Sequence, residues 1–250
     1  MNGRKRQNFT LIELMAVMLL MGVLMLMMLP AFNRMIRGNK VDQVTSNLKL
    51  GLEQAQARAV SSRRAVALVL PTQESVWSTS KDDERAVLPF CFGGYRLAYV
   101  NATSTSGEWE FVRWVPDSEW KNAPEGAMLV RVLGQTTDSS DFDKFTTGDG
   151  MTGALSDPSS GNFGSRLGKL TGCKLVSSSS EKTIDNSLIV FSPYGGLKSD
   201  EDLRLVVAEA VPSGTSVVYP AKDSNGKPTN WLMLSINKFT GRVSYYPVED

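Results

Sequence analysis

Glu13 is the one charged residue in the run FTLIELMAVMLLMGVLMLMML that occupies positions 9–29. A carboxylate held in hydrocarbon costs about 2.5–3.5 kcal/mol, so an ionisable residue in such a run is expected to be paired and functional. The other reactive side chains are sparse. Cys91 and Cys173 are the two cysteines, too far apart for a CxxC redox or metal motif. In an oxidising compartment they can close one disulfide, and two separate buried thiols account for them equally well. The chain has no histidine, which excludes Ser-His-Asp and Cys-His nucleophile sites and histidine metal centres. No carboxylate pair or Ser-Lys pair stands out to replace them. No catalytic residue, metal ligand or cofactor is therefore expected, and an enzyme is the least favoured class.

The element that must carry Glu13 is the apolar run itself. As an α-helix rising about 1.5 Å per residue, it spans about 30 Å, the thickness of a bilayer's hydrocarbon core. Before it stands MNGRKRQN, short and basic, so the positive-inside rule keeps the N-terminus cytoplasmic and sends the following domain across the membrane. Charge is distributed to match. Arg4, Lys5, Arg6, Arg34 and Arg37 less Glu13 give residues 1–38 a charge of +4, and the remaining 22 basic and 25 acidic residues leave 39–250 at −3. That balance shows no basic face for phosphate, and no nucleic acid is expected as a partner. A cleaved secretory signal fits poorly, because the run is long and Leu29-Pro30-Ala31 is a weak small-x-small site. A plain signal anchor leaves Glu13 unexplained.

A third reading accounts for it. Phe9-Thr10-Leu11-Ile12-Glu13-Leu14, after a basic leader and at the head of an apolar helix, resembles the class III signal of type IV prepilins and type II secretion pseudopilins. The resemblance implies that a prepilin peptidase cuts between Asn8 and Phe9 and N-methylates Phe9. It also implies that Glu13 pairs with the terminal amine of a neighbouring subunit during filament assembly. Asn8 stands where the family usually has Gly, a bulkier residue at the cleaved bond. Pro30 falls where pilin helices commonly carry a kink, which its missing N–H and its ring would produce; alternatively it marks the bilayer exit.

Beyond Pro30, Val41, Val44, Leu48, Leu52, Ala55 and Ala59 recur at spacings of three and four, which predicts one apolar face of a resumed helix. Ala55–Ala59 with Ser61, Arg63 and Arg64, running into a strand at 65–70, resembles GspH/FimT minor pseudopilins. Arg58, Arg63 and Arg64 read first as a helix end favoured by its dipole, and second as a partner-binding patch. Strand-like runs follow at 95–100, 109–115, 128–133, 188–191, 203–208, 217–219, 231–236 and 242–246. Lys238-Phe239-Thr240-Gly241 supplies turn chemistry for a C-terminal hairpin, and Phe191-Ser192-Pro193-Tyr194-Gly195-Gly196 reads as a strand entering a tight turn. Family heads often show Phe-x-Pro-x-Gly and a Gly-Arg-Val-like strand, here Phe191 to Gly195 and Gly241-Arg242-Val243.

Residues 136–187, rich in Ser, Gly, Thr and Asp, are expected to form a long polar surface loop inserted in the head. Asp138, Asp141, Asp143 and Asp149 lack the calcium-loop register and read as solvated. Gly93-Gly94 and Gly195-Gly196 lack phosphate-loop spacing. Trp109, Trp114 and Trp120 read as core or head-to-head contact rather than a ligand platform.

The expected molecule is α+β and pilin-like. It has a leader at 1–8, a transmembrane and filament-core helix at 9–29, an amphipathic continuation at 30–64 and a β-rich periplasmic head at 65–250. Its expected role is that of a minor pseudopilin or pilin-like subunit of the bacterial inner membrane, later part of a filament. Its partners would be prepilin peptidase, other pilin or pseudopilin subunits, a secretion or pilus assembly platform and the lipid bilayer. The alternatives are a FimT-like DNA-uptake pilin, or an unprocessed membrane-anchored β-rich binding protein.

Overall fold

The computed structural model describes residues 11–71, 92–134, 167–171, 186–213, 216–224 and 228–246. The chain divides into two compact units, Met1–Asn39 and Lys40–Asp250. One helix, α1 (Leu11–Ser62), contributes to both. It is helical through Pro30.

In the first unit the helix side chains that are described, from Leu11 to Leu26 and at Met28, are exposed. Among the described residues no helix is long and apolar enough to cross a membrane; the sequence run at 9–29 begins two residues before them.

The second unit is built on the later turns of α1. Val41, Val44, Leu48, Leu52, Ala55 and Ala59 are all at most 1% exposed and belong to the main core. The spacing of three and four sets them on one stripe at 3.6 residues per turn, and each buried Val or Leu contributes roughly 1.5–3 kcal/mol. Thr45 lies on the same face and is fully buried; its hydroxyl donates back to the Val41 carbonyl at 2.7 Å, so its burial leaves no donor unmet. The helix stops in a Schellman turn. Arg64 N–H donates to Ala59 O and Arg63 N–H to Val60 O, with Arg63 left-handed at φ 52°.

Eleven strands are described: β1 (Val66–Pro71), β2 (Arg96–Ala102), β3 (Glu108–Trp114), β4 (Ala127–Gly134), β5 (Gly168–Thr171), β6 (Asn186–Phe191), β7 (Leu203–Glu209), β8 (Val211–Ser213), β9 (Ser216–Val218), β10 (Trp231–Ile236) and β11 (Val243–Tyr245). They form a closed barrel in the order β1-β2-β3-β5-β6, a four-stranded sheet β11-β10-β7-β4 and a β8-β9 ribbon. All pairings are antiparallel except β3 with β5. β5 lies within 136–187, where the sequence led us to expect only loop. Its four residues, Gly-Lys-Leu-Thr, are too few to show an alternation, and Leu170 is buried only because β3 and β6 flank it.

The strand β1 explains how the layers join. Val66, Leu68 and Leu70 belong to the core that contains the α1 stripe, whereas Ala67 and Val69 belong to a second cluster with Ala98, Val100, Leu170, Leu188 and Val190. Successive side chains point to opposite faces of a strand, so a strand buried on both must be apolar throughout, as this one is. The barrel therefore encloses its own small core and offers an outer face to the helix. The fold is α+β, a helix packed on antiparallel sheets.

Candidate functional site

Among the residues singled out from sequence, Glu13 lies in α1 and is exposed. Pro30 lies within α1. Asn8, Phe9, Cys91 and Cys173 lie outside the described residues, as do Asp138, Asp141, Asp143 and Asp149. No group of three or more metal-ligating side chains occurs among the described residues.

The head carries a second constellation that spacing did not reveal. Gln56, on α1, donates from Nε2 to Gly195 O at 3.1 Å and to Thr240 O at 2.5 Å. One helix amide thus fastens the two turns noted separately in the sequence, although they lie far apart along the chain. The turns also hold each other. Leu197 N–H donates to Lys238 O at 2.8 Å, and Ser192 and Gly195 close the first turn through Ser192 N–H to Gly196 O and Gly195 N–H to Ser192 O. In the second turn the Asp202 carboxylate accepts from Lys238 N–H at 2.6 Å, while Asn237 Oδ1 accepts from Thr240 N–H and Oγ1. Gly241 is left-handed at φ 66°, and a Cβ there would run into Gly195 O, which is why glycine stands at this crossing. The tips of the two turns are aromatic and almost bare: Tyr194 is 95% exposed and Phe239 80%.

On the other flank of the buried stripe, α1 borders an open groove of about 510 Å³. Gln54, Ala57, Arg58 and Ser61 form its helix side, and Tyr95, Leu97 and residues 115–119 with Lys121 form the opposite side. Tyr95 reaches the helix because residue 51 is glycine. Its hydroxyl donates to Asn47 O at 2.9 Å, and a Cβ on Gly51 would lie 2.5 Å from its ring. Burial raises the Tyr95 pKa above its ordinary value. Asp117, at φ 61°, turns the chain between β3 and Lys121. Asp117, Glu119, Arg58 and Lys121 are all exposed, so both signs of charge face the groove.

Trp109, Trp114 and Trp120 are half-buried. Trp109, Phe111, Trp114 and Trp120 pack against the barrel's small core. Trp114 meets Phe111 edge-on at 4.9 Å and Trp120 at 5.5 Å, and the Arg96 guanidinium lies 4.4 Å from the Trp114 ring centre. Arg64 and Arg113 each lie 5.4 Å from the Tyr99 ring centre, which gives Arg64 a packing role within the head. Arg58 instead faces the groove.

Residues 4–29 match the model of the prokaryotic N-terminal methylation motif. No curated protein matches the chain. Two crystal structures of the type IV minor pilin FimU from Pseudomonas aeruginosa PAO1 are similar to it. The first, in space group P21, is 13% identical with a TM-score of 0.36, over 84% of this chain and 90% of that one. The second, in P65, is 14% identical with a TM-score of 0.35, over 82% and 92%. The chain thus carries a prokaryotic N-terminal methylation motif at residues 4–29, overlapping a helix whose later turns pack against antiparallel sheets.

Proposed function

We propose that this chain is a minor pseudopilin or pilin-like structural subunit that leaves the inner membrane to join a type II secretion pseudopilus or a type IV pilus-like filament. The match of residues 4–29 to the N-terminal methylation motif carries this reading. In it, prepilin peptidase cuts before Phe9 and methylates the new amine. The helix at 9–29 holds the subunit in the bilayer until assembly, and Glu13 is the counter-charge to a neighbour's terminus. A buried charge is tolerated when it is paired, so the pairing favours exit from lipid into a bundle of helices. The role is mechanical rather than catalytic.

N-terminal sequencing of protein from a host that contains the peptidase tests this directly. The expected product begins at N-methylated Phe9, and Asn8→Gly is expected to speed its appearance by placing a smaller residue at the cleaved bond. An intact Met1, or a start after Ala31, overturns the reading.

A further inference from the structure

The C-terminal end of α1 and the β2-β3 pair bring two arginines to one ring. Arg64, at the close of the Schellman turn, and Arg113, in β3, each hold a guanidinium 5.4 Å from the centre of the Tyr99 ring. Two features place them there. Val100 N–H donates to Ala65 O at 3.3 Å, which sets the chain leaving the helix beside β2. In the β2-β3 ladder Tyr99 stands opposite Arg113, and directly opposed residues share a face; the register then shifts, so that Val112 is an extra residue before Phe111, which packs against the barrel's small core. Tyr99 is 8% exposed and both arginines are exposed, so a buried ring is the platform for two charges that face solvent. Among the described residues no carboxylate lies within ion-pair distance of either. Glu110, on the same strand, stands opposite Asn101 instead. Neighbouring arginines differ: Arg96 Nε donates to Ser118 O at 2.8 Å, and Arg58 borders the groove that also holds Asp117 and Glu119.

We propose that Arg64 and Arg113, on their Tyr99 platform, form a docking site for an acidic segment of a partner protein. Such a site does not require the filament reading. Two like charges gathered on one ring repel each other, and an anion that contacts both replaces that repulsion with attraction. A guanidinium's planar fork takes a carboxylate through two parallel hydrogen bonds, and the ring restricts each side chain before contact, so less freedom is lost on binding. Because both cations lie at the same distance from the ring centre, they are no more than twice that distance apart. An extended segment sets residues i and i+2 on one face about 7 Å apart, within that span, so the partner sequence that fits carries Asp or Glu at alternate positions. The charge of −3 on residues 39–250 disfavours the long phosphate arrays of a nucleic acid or an anionic bilayer and leaves a short acidic segment governed by its direct contacts.

The test measures, by fluorescence anisotropy, the binding of a rhodamine-labelled Gly-Glu-Gly-Glu-Gly peptide to the full chain in non-ionic detergent. Saturable binding is expected, weakened by salt and at least tenfold weaker when Gln replaces both Glu of the peptide. Arg64→Gln and Arg113→Gln are each expected to weaken it at least fivefold. Arg204→Gln, at an arginine 4.7 Å from the Tyr246 ring centre, is expected to change it less than twofold. Phenylglyoxal labelling of the wild-type chain, read by mass spectrometry, gives a readout that no folding defect can mimic: the peptide is expected to protect Arg64 and Arg113 but not Arg204. Absence of saturable binding, equal binding of the Gln peptide, affinity that neither arginine variant changes, or labelling that the peptide does not alter overturns the proposal. Tighter binding of a single-stranded oligonucleotide or of phosphatidylglycerol vesicles through the same two arginines overturns the protein partner in favour of phosphate.

Discussion

Gly51 shows at the scale of one residue how position reverses a propensity. In an exposed helix interior, Gly→Ala stabilises by about 1 kcal/mol because glycine has more freedom to lose. Here the added methyl would lie 2.5 Å from the Tyr95 ring, whose hydroxyl is tied to Asn47 O. Overpacking of this kind costs about 1–3 kcal/mol. Gly51→Ala is therefore expected to lower the melting temperature of the detergent-solubilised chain; an unchanged or raised value would mean that Tyr95 is free to move aside. Glu13 shows a different limit. Its place in an apolar run was plain from the sequence, whereas the partner proposed for it belongs to another subunit.

At the scale of the element, the end of α1 is held by geometry rather than by residue choice. The left-handed position that closes a Schellman turn usually holds glycine, and here it holds Arg63 at φ 52°. A left-handed conformation costs a residue with a Cβ roughly 1–2 kcal/mol, and a β-branched side chain tolerates it worst. Arg63→Val should lower stability by about 1 kcal/mol or more, read as a shift in thermal midpoint. Arg63→Gly should leave it unchanged or slightly raised, because the relief of strain is partly offset by a more flexible unfolded chain. Equal loss in both variants would assign Arg63 a side-chain role instead. The amphipathic face of this helix was legible beforehand residue by residue, since a period of 3.6 leaves an unambiguous stripe. β5 was not, since its burial depends on β3 and β6, its partners from distant parts of the chain.

For the whole molecule, the proposed assembly predicts a separation of effects. Glu13→Leu should leave insertion and cleavage intact, because the variant helix is more apolar and the cleaved bond is unchanged. Incorporation should fail. A neutral helix is more comfortable in lipid by roughly 2.5–3.5 kcal/mol, and it has lost the attraction that draws it into a bundle. Subunits recovered in sheared filaments, compared with the membrane-bound pool, measure this. Normal recovery of Glu13→Leu would remove Glu13 as the assembly switch and favour a plain membrane-anchored β-rich protein.

The sequence alone determined the features that depend on local order. These are the basic leader abutting an apolar run, its single acid, the six-residue stripe from Val41 to Ala59, the strand at 65–70 and the turn chemistry at Gly195 and Gly241. Each is readable because its physical cause, a charge in lipid or a period of 3.6 or 2, lies within a few adjacent residues. Tertiary structure decided what distant segments do to one another. The barrel closes through a parallel β3-β5 pair, the Tyr95 ring requires a glycine at position 51, and one Gln56 side chain locks together turns from two separate stretches. Gln56 is an ordinary exposed-face helix residue in sequence, and only folding brings the Gly195 and Thr240 carbonyls within reach of its amide.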